Sequence, residues 1–302
     1  MNGAAFIPED ETGFDRLLAL SVPERHARGR VVRLGPTLDT ILSAHAYPTA
    51  IRHLLAEALV LCALIGSLLK EESSQLTMQV QAEGGIVDLL VCDFRMGELR
   101  GYVRHDAERL AALNHFPSLT DLFGAGYLCI TFDLAASNER YQGIVPLEGD
   151  SLAEACQSYF AQSEQVPTLI RTGVRWDGQH CIAGGLLLQH LPEGEEGRER
   201  LHVQLDHPEW EHVATLAGSI RQDELVDAAL SLEAIVWRLF HEEEEIRVSR
   251  LASLSRGCRC SADYYNSVLS RFPVEELEAM RDDDGVISVD CAFCSKLFRI
   301  EL

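Results

Sequence analysis

The chain has 302 residues, 47% of them hydrophobic and 24% charged, and its 26 Lys+Arg against 47 Asp+Glu give a net charge of −21. That length holds about two domains with real cores, and the composition excludes global disorder. A surface this negative repels phosphate backbones and anionic lipids, and no basic block offsets it, so neither nucleic acid nor a membrane is expected as a partner.

Residues 1 to about 15 are polar and read as loose. Met1 to Asp10 has no basic region and turns acidic early, so no secretory signal is expected and the expected compartment is the cytoplasm. Arg30–Leu34 reads as a short strand, and Pro36 and Pro48 flank a helix at Leu38–His45. Ile51–Leu69 reads as a long buried helix, with Ile51, Leu54, Leu55, Ala58, Leu59, Cys62, Ile65 and Leu69 near helical spacing. Its most apolar stretch, Ala58–Leu69, is about 12 residues against roughly 20 needed to span a bilayer, so no crossing is expected.

The pattern then shifts to period two or short apolar runs. Leu76–Ala82, Ile86–Phe94 and Leu99–Arg104 read as strands of an antiparallel meander, punctuated by Gly84-Gly85 and Met96-Gly97-Glu98. Tyr127–Leu134 and Tyr141–Pro146 are candidates to continue it, and Ser151–Gln162 reads as a helix. Leu169–Trp176 and Gln179–Leu188 flank Asp177-Gly178, which has the composition of a two-residue type I′ turn. A polar break follows at Glu193–Arg200. Asp206 is placed to cap a helix over Pro208–Leu216, and Glu224–Leu230 and Leu232–Phe240 carry helical spacing up to the acidic run Glu242–Glu245. The apolar faces of these helices must cover something, and the sheet domain is the natural partner.

The chemistry sits at the C-terminus. Cys258-Arg259-Cys260 and Cys291-Ala292-Phe293-Cys294 form a C-x-C and a C-x-x-C pair, with residues 261–290 between them. Two such pairs supply four thiolates to a single tetrahedral Zn²⁺ at ~2.3 Å each. Thiolate sulfur suits zinc and poorly suits Mg²⁺ or Ca²⁺. The segment 256–302 is about 47 residues, near the size where a core alone is marginal, so a metal clip answers a physical need. A closed four-cysteine set leaves no open coordination position, so metal-catalysed hydrolysis is not expected and the chain does not read as an enzyme.

Two other readings of the same four residues remain: a purely structural zinc site, and a redox pair without metal. What favours a switch is energetic. Metal binding keeps the sulfurs as thiolates, the form oxidants attack. Zinc contributes on the order of 10–16 kcal/mol in small domains, against about 5–15 kcal/mol for the stability of a whole domain. Oxidation would expel the ion and remove the main folding term of the tail. The close spacing suggests Cys258–Cys260 and Cys291–Cys294 as the local disulfides. The other cysteines, Cys62, Cys92, Cys129, Cys156 and Cys181, are isolated, mostly among apolar neighbours, and read as inert buried thiols.

With these residues in view, the sequence resembles the heat-shock protein 33 family of redox-regulated bacterial holdase chaperones. The C-x-C and C-x-x-C pairs with their long spacer carry the resemblance. Tyr159–Thr168, Ala183–Gln189, Gly101–Arg104 and Glu233–His241 add to it, and it runs from about residue 14 to the end. It implies a substrate-holding N-terminal domain, a helical linker laid over it, and a C-terminal zinc domain. It also implies that Cys258, Cys260, Cys291 and Cys294 bind zinc when reduced and form two disulfides when oxidised. ATP-independent binding of unfolding client proteins and homodimerisation on activation follow from the same resemblance. The chain departs from the family at Ala262-Asp263-Tyr264-Tyr265, where charged residues are common, and at Ala292, where an acidic one is; neither touches a ligand.

The expected architecture is therefore α+β: an antiparallel-sheet domain with packed helices over 1–200, a helical redox-responsive linker over 201–255, and a Cys₄ zinc domain over 256–302. The competing reading is a constitutive interaction protein, such as a nucleic-acid binder, with an inert zinc ribbon. Other signals carry less. No P-loop occurs, and Lys70 and Lys296 are the only lysines. Gly124-Ala125-Gly126 precedes a strand instead of following one. His202, His207 and His212 do not stack on one helical face and read as surface or core histidines.

Overall fold

The computed structural model describes residues 13–69, 71, 73–191 and 207–301. The chain opens with β1 (Arg16–Val22) and β2 (Ala27–Leu34), then α1 (Pro36–Leu42) and α2 (Thr49–Gly66). Next come β3 (Gln75–Glu83), β4 (Val87–Arg95) and β5 (Glu98–His105), followed by the short helices α3 (Ala107–Ala111) and α4 (Leu119–Phe123). β6 (Ala125–Leu134) and β7 (Glu139–Pro146) lead to α5 (Leu152–Tyr159), which runs into a π-helical turn, Phe160–Glu164. β8 (Thr168–Trp176) and β9 (Cys181–His190) end the first half. The second half holds α6 (Pro208–Gly218), α7 (Gln222–Leu225), α8 (Leu232–Phe240), β10 (Arg247–Arg250) and β11 (Ser255–Arg256). The tail is α9 (Ala262–Leu269), α10 (Val274–Met280), β12 (Ile287–Asp290) and β13 (Leu297–Ile300).

Two sheets enclose one helix. The first has the order β10-β1-β2-β9-β8 and the second β11-β5-β4-β3-β6-β7. All pairings within them are antiparallel except β11 with β5. Between them lies α2, in one apolar cluster with Val32, Leu34 and Leu187 of the first sheet and Met78, Val80, Leu90 and Cys92 of the second. By length and composition α2 is long and apolar enough to cross a membrane, at 18 residues and mean hydropathy 1.6, but 72% of it is buried inside the fold.

The far face of the first sheet is covered as well. Leu18, Leu20, Val31, Leu186 and Leu188 pack against Val213, Ala217, Leu225, Leu232, Ile235, Val236 and Phe240 of α6–α8. Side chains alternate across a strand, so Leu187 meets α2 while Leu186 and Leu188 meet α6–α8. This is why β9 and β1 read as apolar runs without a clean period of two. β1 follows directly on the stretch read as loose and was not anticipated, for that reason.

The architecture is the expected mixed α+β one, with several local corrections. β6 does not extend the meander beside β5; it crosses to pair with β3. α3 and α4 carry the chain across the sheet end, and β11 takes the β5 edge. The Asp177-Gly178 turn is not type I′, which needs positive φ at both residues. Only Gly178 has it (φ +99°), and the Asp177 carboxylate instead accepts from the Gln179 and His180 amides at 2.9 and 2.7 Å. The helix expected over Glu224–Leu230 stops at Leu225. Beyond it the Asp227 carboxylate takes the Ala229 amide at 3.0 Å, a local bond that competes with the helix. Asp206 and the Glu193–Arg200 break lie outside the described residues. α6 is capped by His207, whose Nδ1 accepts from the Glu209 amide at 3.3 Å.

The segment expected as a helical linker is helical only as far as Phe240. Thereafter it is extended: β10 pairs with β1, and the Leu251 and Leu254 amides donate to the Leu17 and Asp15 carbonyls at 3.0 and 2.8 Å. The unpaired edge of β1 offered those bonds, and helix continuation offered no apolar face beyond the Glu242–Glu245 run.

A candidate metal centre at the C-terminal cysteines

The tail folds around its own small core of Leu269, Ile287, Cys291, Phe298 and Ile300. Ser261 caps α9 by accepting from the Tyr264 amide at 3.1 Å, immediately after Cys260. The β12–β13 hairpin, paired from Ile287↔Ile300 to Asp290↔Leu297, holds the C-x-x-C pair in its connection. The Cys291 amide donates to Lys296 O at 3.0 Å, and the Ser295 amide returns to Cys291 O at 2.7 Å. Ser295 adopts φ +55°, the left-handed turn that closes the loop.

These two loops bring all four expected cysteines together. The Sγ atoms of Cys258, Cys260, Cys291 and Cys294 lie within 4.8 Å of one another and can hold a metal ion. Cys258–Cys260 is 3.3 Å, Cys260–Cys294 3.5 Å and Cys258–Cys291 3.6 Å. Tetrahedral Zn–S bonds of ~2.3 Å require S···S edges of about 3.8 Å, so the cage matches zinc with small adjustments. The three contacts differ too little for distance alone to select a disulfide pairing.

The thiols are not equivalent. Burial pushes Cys258 and Cys260 up. Burial also acts on Cys291, but the Phe293 and Cys294 amides and the Tyr265 hydroxyl outweigh it and bring this thiol down to about 7. Cys291 is thus the position where thiolate forms most readily before any ion arrives. Elsewhere, burial raises Cys62, Cys92 and Cys156 and brings Cys181 up to about 12, as suits inert core thiols; Cys129 is only half-buried.

The C-x-x-C loop is also the surface by which the tail touches the main body. Phe293 lies under the guanidinium of Arg100 on β5, 4.1 Å from ring centroid to Cζ. Arg100 is held in turn by Asp93 on β4, at 2.6 Å from Nε, and Asp93 also accepts from Thr77 Oγ1 at 2.7 Å. His45 Nε2 meets Ala292 O at 2.8 Å, and Ser295 Oγ donates to Ala44 O at 2.7 Å. Arg259, between the first two cysteines, donates to Gln75 on β3. Sequence reasoning missed Arg100, Asp93, His45 and Tyr265. Only Tyr265 carried a signal, as an aromatic close after the C-x-C pair. His202 lies outside the described residues, His212 Nε2 meets Glu243 at 2.6 Å, and His207 packs 5.0 Å from His190.

Fold and site together define an α+β protein whose two-sheet body is overlaid by α6–α8 and followed by a four-cysteine tail. Comparison with known proteins places this class: the chain belongs to the Hsp33 protein family, which matches residues 15–301. A 33 kDa chaperonin of Caulobacter vibrioides is 37% identical over 294 residues, covering 95% of each chain. One of Escherichia coli is 35% identical over 269 residues, covering 88% of this chain and 85% of the relative. The crystal structure of the 33 kDa chaperonin of Thermotoga maritima superposes with a TM-score of 0.77 over 95% of both chains at 22% identity, which shows a shared fold.

Proposed function

We propose that this chain is an ATP-independent holdase, kept inactive while reduced and opened by oxidation. In this reading Cys258, Cys260, Cys291 and Cys294 hold one Zn²⁺ per chain in a cytoplasmic protein, and the units are a substrate-holding domain over 1–200, a responsive linker over 201–255 and a zinc domain over 256–302. Bound zinc would keep the four sulfurs as thiolates and tie the two cysteine loops into one body. Thiolates are the form that a peroxide attacks, so the loaded site is the reactive one. Forming Cys258–Cys260 and Cys291–Cys294 takes two electrons per pair. Each pair reduces one hydrogen peroxide, which takes up two protons and leaves as two waters.

The observation that carries the proposal is the double duty of the C-x-x-C loop. Ala292, Phe293 and Ser295 dock the tail on the body, and Cys291 and Cys294 sit in the same loop. Redrawing the cysteine bonds therefore disturbs the docking contacts. Residues 251–256 run along the body, bonded to Leu17, Asp15 and β5, and lead straight into the first cysteine pair. Release of the linker would uncover Leu18, Leu20, Val31, Leu186 and Leu188, an apolar strip fit to hold an unfolding client, and two activated chains would pair as a homodimer.

The test is aggregation of a heat-denatured client followed by light scattering, with zinc release followed colorimetrically. Peroxide plus heat should release about one zinc per chain, the stoichiometry of one tetrahedral four-thiolate site, and suppress scattering; the reduced protein should do neither. Zinc release without suppression would defeat the chaperone reading, and suppression with zinc still seated would defeat the gate.

A further inference from the structure

Arg33 is only 1% exposed, and it projects from β2 towards the linker. Its three hydrogen bonds all go to main-chain carbonyls: Nε to Leu225 O at 2.9 Å, Nη1 to Leu230 O at 2.6 Å and Nη2 to Glu224 O at 3.3 Å. Such a buried guanidinium is costly, and here it is met by peptide oxygens, with the charge of Asp227 as support from farther off. Beside it in register stand Gly184 of β9 and Gly173 of β8. A methyl group on Gly184 would overlap the Leu225 carbonyl, and one on Gly173 would lie 2.5 Å from the Gln222 oxygen. The linker turn over 222–230 thus rests on bare sheet backbone and is gripped by its own backbone. The contact reads main chain, and Leu186, Leu188 and Val31 supply the apolar surround.

We infer that Arg33, Gly173 and Gly184 form a carbonyl-binding cradle that the linker fills in the closed state and the main chain of an unfolded client fills after release. The inference rests on the redox-gated reading above and adds a chemical identity to the client site. Every unfolded polypeptide offers peptide carbonyls, whatever its side chains. A fork of donors over a glycine floor can therefore take any client, while the flanking leucines exclude water and strengthen the bonds. The linker is the resident competitor for the same groups.

The experiment compares full-length parent, Arg33→Met, Arg33→Lys and Gly173→Ala, each zinc-loaded and then activated with peroxide and heat. Binding of a permanently unfolded probe, fluorescently labelled reduced and carboxymethylated lactalbumin, is read by anisotropy. The variants should open at lower oxidant dose, because the linker loses its clamp. Yet activated Arg33→Met should bind the probe at least about tenfold more weakly than activated parent, the loss of a charge-assisted hydrogen bond. Arg33→Lys should recover part of it, since an ammonium cannot make the fork. Equal or tighter binding by activated Arg33→Met would overturn the cradle and leave Arg33 a linker clamp. An activated parent that does not bind the probe would instead overturn the holdase reading itself. Should the variants misfold, the Arg33 Nε–H signal of ¹⁵N-labelled parent decides: protected when reduced, fast-exchanging when activated, protected again with probe. Continued fast exchange with saturating probe overturns the proposal.

Discussion

At the scale of single residues, the environment of a group matters more than its type. Nine cysteines share one chemistry, but burial makes those of the core poor thiolates, while two amides and a tyrosine hydroxyl make Cys291 a good one. Glu57 follows the core cysteines and not Cys291. It is the acidic residue of the apolar helix α2, lines a cavity of about 490 Å³, and accepts from Thr172 Oγ1 at 3.1 Å; burial raises its pKa above the usual 4.5. A carboxyl whose folded pKa is raised holds its proton more tightly when folded. Its penalty is absent below the unfolded pKa and grows as pH rises through the folded one. Glu57→Gln should therefore stabilise the protein at pH 7 by about 1 kcal/mol and make no difference near pH 4. Urea unfolding at both pH values checks this; equal stability at pH 7 would show the carboxylate fully compensated.

Elements join the site to the body. The C-x-C and C-x-x-C spacings were readable because metal geometry forces four sulfurs into one small volume, and the structure brings the same four together. The docking partners were not readable. Arg100 and Asp93 meet because β4 and β5 pair with Asp93 opposite Arg100, and nothing local marks the pair as a platform for Phe293. Phe293→Ala should loosen the tail by about 1 kcal/mol, the worth of one cation–π contact. If the site holds zinc as proposed, its affinity should stay the same and release by peroxide should quicken, as a colorimetric zinc assay would record; an unchanged rate would mean that the contact does not restrain the tail.

The helices α6 and α8 have a latch of their own. Glu243, just past α8, accepts from Arg25 Nε at 2.8 Å and meets His212 of α6 at 2.6 Å, while Arg25 also pairs with Glu209. Burial raises the Glu243 pKa, but Arg25 and His212 overcome it and the net shift is down. The stabilisation is therefore present above the usual carboxylate value near 4.5 and lost as pH falls through the lowered folded value. Glu243→Gln should raise amide hydrogen exchange in α6 and α8 several-fold at pH 7, as weakening of a charged hydrogen bond does, and leave β3–β7 unchanged. Uniform exchange in parent and variant would remove the latch.

Across the whole molecule, the tail is the part with the least apolar support. Its buried core is a handful of side chains, one of them a cysteine, whereas the main cluster spans both sheets and α2. If the four cysteines hold a metal as proposed, chelating it from reduced protein should therefore unfold residues 258–300 and spare the two-sheet body. Hydrogen exchange by mass spectrometry would show it, with metal content measured alongside; full protection of the tail after metal loss would mean that its own core suffices.

The mixed α+β class, the apolar helix at the centre, the strands from β3 to β9 and the four-cysteine set were all legible in the order of the amino acids. Each of these rests on local period, punctuation or ligand spacing. That β6 crosses to β3, that β1 and β10 complete a sheet, and that a buried arginine holds the 224–230 turn by its carbonyls emerged from the folded chain alone. Those features depend on which edges and faces are left unfilled once every other element is in place, and no window of sequence contains that information.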